Sequence, residues 1–118
     1  MEVGNSSQAA HVVEQDRRAE RRFPLRLPIH VKCFGNSISE ATSFTRDVSA
    51  RGAYFFLDYA LREGARVEMI ITLPSEVTLS EEIHVRCKGR VVRVIQSPLV
   101  PKVGIASVIE QYEFTVLK

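Results

Sequence analysis

The sequence predicts an all-β domain, a barrel or sandwich built from about six or seven short strands. Residues 29–33 and 83–88 alternate apolar and polar side chains, which is typical of half-buried strands. Residues 53–57 form a compact aromatic run suited to a buried strand. Turn-forming glycine and proline residues separate these segments. With 118 residues, 45% of them hydrophobic, the chain has enough material for one core and little for a second domain.

The strands are predicted in sequence order, each one bounded by turn residues. They cover residues 29–34, 42–47, 53–57, 67–73, 83–88, 90–95 and 103–109. Pro24 and Pro28 favour an extended path for residues 23–27. Gly89 divides two of the strands, as glycine does at a bulge or sharp bend. Residues 110–118 fit either a further strand or a short C-terminal helix.

The first 16 residues contain few apolar groups and are predicted to be a flexible tail. A short helix from Ser7 towards Arg22 is the alternative, with Ser7 as its cap. Residues 17–118 are then one domain, which includes an arginine-rich arm at residues 17–26.

No targeting or membrane segment is apparent, so a cytoplasmic protein without membrane insertion is expected. No apolar run approaches the roughly 18 residues of a membrane-spanning helix, and the N-terminus lacks a signal sequence. Cys33 and Cys87 are far apart and share strand faces with apolar residues, which predicts two reduced cysteines in the core.

Catalytic and metal-binding patterns are absent from the sequence. His11, His30 and His84 have no spacing that would bring two of them to one metal ion. Ser49 lacks the GxSxG context of a hydrolase nucleophile. We therefore expect neither an enzyme nor a metal site.

The positive charge is concentrated in one segment. Residues 17–26 contain five of the 16 basic residues and one of the 14 acidic ones, and the five are Arg17, Arg18, Arg21, Arg22 and Arg26. A guanidinium is a planar fork of donors that matches two phosphate oxygens or the O6 and N7 edge of guanine. Arginine runs taken alone are more often solvated arms than binding sites.

A second polar feature is the turn DVSARG at residues 47–52. It combines the Asp47 carboxylate, the Ser49 hydroxyl, the Arg51 guanidinium and Gly52, which permits close backbone approach. A carboxylate can accept hydrogen bonds from N1 and N2 of guanine. The same residues also fit an ordinary turn between two strands.

Together, in this order, the two features resemble PilZ domains, the receptors for the bacterial second messenger cyclic di-GMP. Residues 17–29 resemble the RxxxR stretch and first strand of that family, and residues 47–52 match its (D/N)xSxxG motif. Residues 89–94 and 103–106 are similar to its late strands, although Ser107 stands where a larger residue is frequent. The resemblance covers roughly residues 17–110.

The resemblance implies a six-stranded antiparallel β-barrel whose N-terminal arm folds over the outer surface when ligand binds. The RxxxR arginines would contact phosphates and guanine edges, and Asp47, Ser49 and Gly52 would hold a guanine, with Arg51 as an extra donor. Arg18 with Arg22 is the preferred pair because it fits the positions of Pro24 and Pro28. Arg17 with Arg21 and Arg22 with Arg26 also satisfy the spacing.

The function implied is cyclic di-GMP binding, without any other cofactor, relayed to a separate effector protein when the arm becomes ordered. Two alternatives stay open. One is a PilZ-like interaction module that acts without ligand. The other is a nucleic-acid-binding barrel that stacks bases on Tyr54, Phe55 or Phe56, but at least one of these consecutive aromatics must face the core and the net charge is only +2. We therefore expect no DNA or RNA partner, and a monomer or weak dimer.

Overall fold

The computed structural model describes residues 21–116, which form a closed antiparallel β-barrel. Its strands are β1 (Pro28–Phe34), β2 (Ile38–Ser49), β3 (Gly52–Leu57), β4 (Arg66–Leu73), β5 (Ile83–Ser97) and β6 (Val100–Val116), and one short helix, α1 (Ser75–Thr78), follows β4. The order around the barrel is β1-β2-β3-β6-β5-β4. The predicted six-stranded barrel is confirmed. Within these residues no helix is long and apolar enough to cross a membrane.

The C-terminal alternative is decided in favour of a strand, because β6 continues to Val116 and no helix forms there. Residues 111–116 pair with β5 from Lys88 back to Ile83, so the backbone groups of this segment are satisfied in a sheet. The two segments on either side of Gly89 form a single long strand. The predicted irregularity at Gly89 is confirmed as a register shift between Lys88 and Gly89. The tail at residues 1–16 and the helix considered from Ser7 lie outside the described residues.

Alternating side chains of all six strands fill the barrel. Phe55 and Ile105 are fully buried, and Phe55 is the one aromatic residue of the run at 53–57 that belongs to the core cluster. Both cysteines belong to this cluster, as predicted. Burial raises the pKa of the Cys87 thiol to about 11 and also raises the pKa of Cys33.

Two glycines allow neighbouring strands to approach β6 closely. A Cβ on Gly52 would lie 2.7 Å from the backbone oxygen of Ser107, and a Cβ on Gly89 would collide with the backbone oxygen of Val108. Both contacts are with backbone atoms, which cannot rotate away as the end of a side chain can. Strands β3 and β5 can therefore approach residues 107–108 of β6 this closely only because Gly52 and Gly89 have no side chain.

We expect Gly89→Ala to lower the free energy of unfolding by roughly 1–3 kcal/mol, because the methyl group forces β5 away from β6. Gly35→Ala is the matched control, since its Cβ would make only an ordinary 3.8 Å contact with Ser37. Urea unfolding followed by circular dichroism measures both. Equal stability of the two variants would contradict the close approach at Gly89.

Thiol labelling of the native protein should be much slower than labelling in denaturant, since both cysteines are buried and their raised pKa values lower the thiolate fraction at neutral pH. Raising the pH from 7 to 9 should leave Cys87 largely protonated. Mass spectrometry of each cysteine resolves the two rates. Native labelling as fast as that of the unfolded chain would disprove their burial.

Candidate functional site

The described part of the arm, residues 21–26, and the adjoining Leu27 lie along the end of β2 that β1 leaves unpaired. Phe23 and Val48 exchange two backbone hydrogen bonds of 2.7 and 3.0 Å. The buried Thr45 hydroxyl accepts from the Leu27 N–H at 2.9 Å and donates to the Leu25 carbonyl oxygen at 2.6 Å. Pro24 lacks a backbone N–H and fixes its own φ, which suits this extended path. Several weak contacts therefore hold the arm against β2.

An extra residue in β2 determines where the polar side chains of this region point. Thr45 pairs with Phe55 and Asp47 pairs with Tyr54, so Arg46 and Asp47 together oppose one residue of β3. This is a β-bulge. Val48, beyond the bulge, packs against the core, whereas Asp47 faces the outer surface beside Tyr54. Without the extra residue, the alternation of the strand would turn Asp47 towards the core and Val48 towards the outer surface.

The Asp47 carboxylate accepts hydrogen bonds from two arginines. Arg22 Nη1 lies 2.7 Å from Oδ1, and Arg46 Nε lies 2.7 Å from Oδ2. The carboxylate side chain is only 10% exposed, while both arginine side chains are about half exposed. The outer surface thus carries a buried acceptor between two solvated cations.

Arg46 is held from its other side by an aromatic ring. Its guanidinium carbon lies 3.9 Å from the centroid of Tyr54, a cation–π contact. The Tyr54 ring packs edge to face against Phe56 at 5.5 Å and occupies the space that a side chain at Gly104 would need. Sequence reasoning missed Arg46, because consecutive residues of a regular strand point to opposite faces and only the bulge brings Arg46 to Asp47.

Comparison with known proteins identifies the family. The PilZ domain matches residues 15–112, which is most of the chain. The chain belongs to the PilZ domain family. Among solved structures, the Bacillus subtilis inhibitor of motility (MotI/DgrA) superposes with a TM-score of 0.64 at 18% identity, over 78% of this chain. The match spans 42% of that structure, so the likeness shows the fold of the shared part. No curated protein sequence matches the chain.

The structure brings Arg22 of the arm into contact with Asp47, so the two segments that resemble PilZ motifs meet at this ion pair. Arg21 and Arg26 instead contact aromatic rings: the Arg21 guanidinium lies 5.8 Å from the ring centroid of Phe23, and that of Arg26 lies 4.1 Å from the centroid of Phe44. Arg17 and Arg18 lie outside the described residues. The register of the RxxxR pair therefore stays a prediction.

The remaining motif residues shape the β2–β3 turn. The Ser49 hydroxyl accepts from the backbone N–H of Arg51 at 3.2 Å, and the Arg51 carbonyl accepts from the Ile109 N–H at 2.7 Å. Gly52 follows, against the backbone of β6. Ser49 and Gly52 therefore shape the turn beside Asp47.

The Arg22–Asp47 ion pair is weak enough to exchange. Arg22 is half exposed while Asp47 is only 10% exposed, so solvent screens the pair in part and we expect it to contribute about 1 kcal/mol. A ligand that offers Arg22 an anion and Asp47 other N–H donors would replace it at little cost.

Thr45→Val should loosen the arm without disturbing the barrel. The substitution keeps the shape of the side chain but leaves the Leu27 N–H and the Leu25 carbonyl without their partner, at a cost of about 1–3 kcal/mol in the free energy of unfolding. Hydrogen exchange at the Leu27 amide is the measurement. Thr42→Val, at an exposed position of the same strand, is the control, and an equal response of Leu27 in both variants would contradict the role of Thr45.

Proposed function

We propose that this PilZ domain is a receptor for cyclic di-GMP, a cytoplasmic binding module without catalytic activity or any other cofactor. The observation that carries the proposal is the 2.7 Å contact between Arg22 of the arm and Asp47 of the DxSxxG motif. It brings a guanidinium, which can donate to a phosphate, beside a carboxylate, which can accept from a guanine. Family membership supports the same ligand.

The chemistry of the ligand suits these groups. Cyclic di-GMP is a dianion with two purines, so the arm arginines would neutralise phosphates and contact guanine O6 and N7. Asp47 would accept from N1 and N2 of a guanine, with Ser49, Arg51 and Gly52 forming the turn beneath it. Arg17, Arg18, Arg21 and Arg22 are the candidate arm residues, Arg18 with Arg22 being the preferred pair.

The signal would pass to an effector protein through the arm. Phe23 on the arm and Phe44 beneath Arg26 are both 40–50% exposed, so a movement of the arm changes the apolar surface that a partner meets. Ordering the arm costs conformational entropy that ligand contacts offset. No DNA, RNA or membrane partner is required, and the domain would act as a monomer or weak dimer.

One observation favours the alternative of an interaction module that needs no ligand. Both oxygens of Asp47 already accept hydrogen bonds within the chain, so the arm has a closed arrangement of its own. In that case a partner would recognise the arm as it lies on β2.

Calorimetric titration of cyclic di-GMP distinguishes the two. We expect micromolar or tighter binding, weakened about tenfold or more by Arg22→Ala and by Asp47→Ala, since each removes a charge-assisted hydrogen bond worth on the order of 2 kcal/mol. The salt dependence should be shallow, because two phosphates release few counterions, whereas a polynucleotide would give a steep slope.

Arg86→Ala provides the control, since Arg86 lies on β5 and pairs with Ile70 and Glu113, away from the arm. The proposal is wrong if the folded wild-type protein releases no heat with cyclic di-GMP. It is also wrong if the control weakens binding as much as the two site variants do.

A further inference from the structure

The two arginines on Asp47 are anchored in different ways. Arg46 belongs to β2, and Tyr54 and Asp47 hold its guanidinium from two sides. Arg22 belongs to the arm, and its guanidinium donates to Oδ1 of Asp47. If the arm moves, Arg22 leaves the carboxylate and Arg46 stays.

The Arg22 guanidinium and a guanine edge, the two groups that would donate to Oδ1 of Asp47, are chemically alike. The N1–C2–N2 edge of guanine is a guanidine built into a ring, with N–H donors side by side, as in the head group of arginine. A carboxylate oxygen that accepts an N–H from one of these groups can accept an N–H from the other. Arg22 therefore has the shape and the donors needed to occupy the place of a guanine.

We propose that Arg46 is a positioning residue for the guanine-binding carboxylate and that Arg22 is an exchangeable occupant of the same acceptor. Arg46, lying on Tyr54, keeps Asp47 directed to the outer surface in both states. Arg22 holds the arm to Asp47 in the ligand-free protein and gives up this place when a guanine edge arrives, which frees Arg22 for a phosphate. The inference rests on the proposed function.

The occupant role is tested in the ligand-free protein by hydrogen exchange at the amides of Phe23 and Val48, which bond to each other beside Asp47. Arg22→Gln and Asp47→Asn should each accelerate both amides about fivefold, the effect of losing a partly buried ion pair worth about 1 kcal/mol. Arg26→Gln should change them less than twofold, since Arg26 contacts Phe44 instead. Unchanged exchange in Arg22→Gln would overturn the occupant role.

The positioning role is tested by comparing cyclic di-GMP with cyclic di-inosine monophosphate, which lacks the N2 amino groups. The wild type should prefer the guanine ligand about tenfold, the value of one charged hydrogen bond. Arg46→Gln should reduce this preference by about fivefold or more. Tyr54→Phe keeps the ring and should retain the preference.

A purely structural role for Arg46 would weaken both ligands equally and leave the preference unchanged, which would overturn the inference. Arg66→Gln is the control, because Arg66 also lies over an aromatic ring, that of Phe34 at 5.3 Å, but at another part of the barrel. Wild-type protein that binds neither ligand would overturn the proposed function and the positioning role together. The exchange experiment reports on the occupant role in either case.

Discussion

The contacts of the arm depend on the extra residue in β2. Because Arg46 and Asp47 share one partner on β3, Asp47 lies on the outer surface while Thr45 and Val48 remain buried or packed on the core. A carboxylate facing the core would require desolvation, at a cost of several kcal/mol. On the outer surface the same carboxylate meets Arg22 and Arg46, and the segment that carries Arg22 is held against the barrel.

Much of the barrel was predictable because side-chain alternation reports directly on burial. Cys33 and Cys87 were assigned to the core from their strand neighbours, and the irregularity at Gly89 from the glycine itself. The bulge at Arg46 is not marked in the sequence, since neither Arg46 nor Asp47 is a glycine or proline. The contact between Arg46 and Asp47 therefore could not be predicted from the sequence, although Asp47 itself was selected.

The DxSxxG motif contains residues that serve the barrel as well as residues suited to a ligand. Gly52 is required because the backbone of β6 occupies the space of its Cβ, and Ser49 accepts a backbone N–H within the turn. The Asp47 side chain instead accepts hydrogen bonds from Arg22 and Arg46. Sequence reasoning assigned all three residues to the ligand, which stays a prediction, because spacing alone does not separate a residue that shapes a turn from one that contacts a ligand.

The hold on the arm weakens along its length towards the N-terminus. Leu27 is 2% exposed and belongs to the core cluster, and Leu25 packs against that cluster. Phe23 is 49% exposed and is tied by two backbone hydrogen bonds, and Arg22 is tied by its ion pair with Asp47. The free energy of a local opening depends on the contacts that the opening breaks. Displacement of Arg22 therefore leaves Phe23 held by its two backbone hydrogen bonds while Leu27 stays in the barrel, so the described arm loosens first beside Asp47.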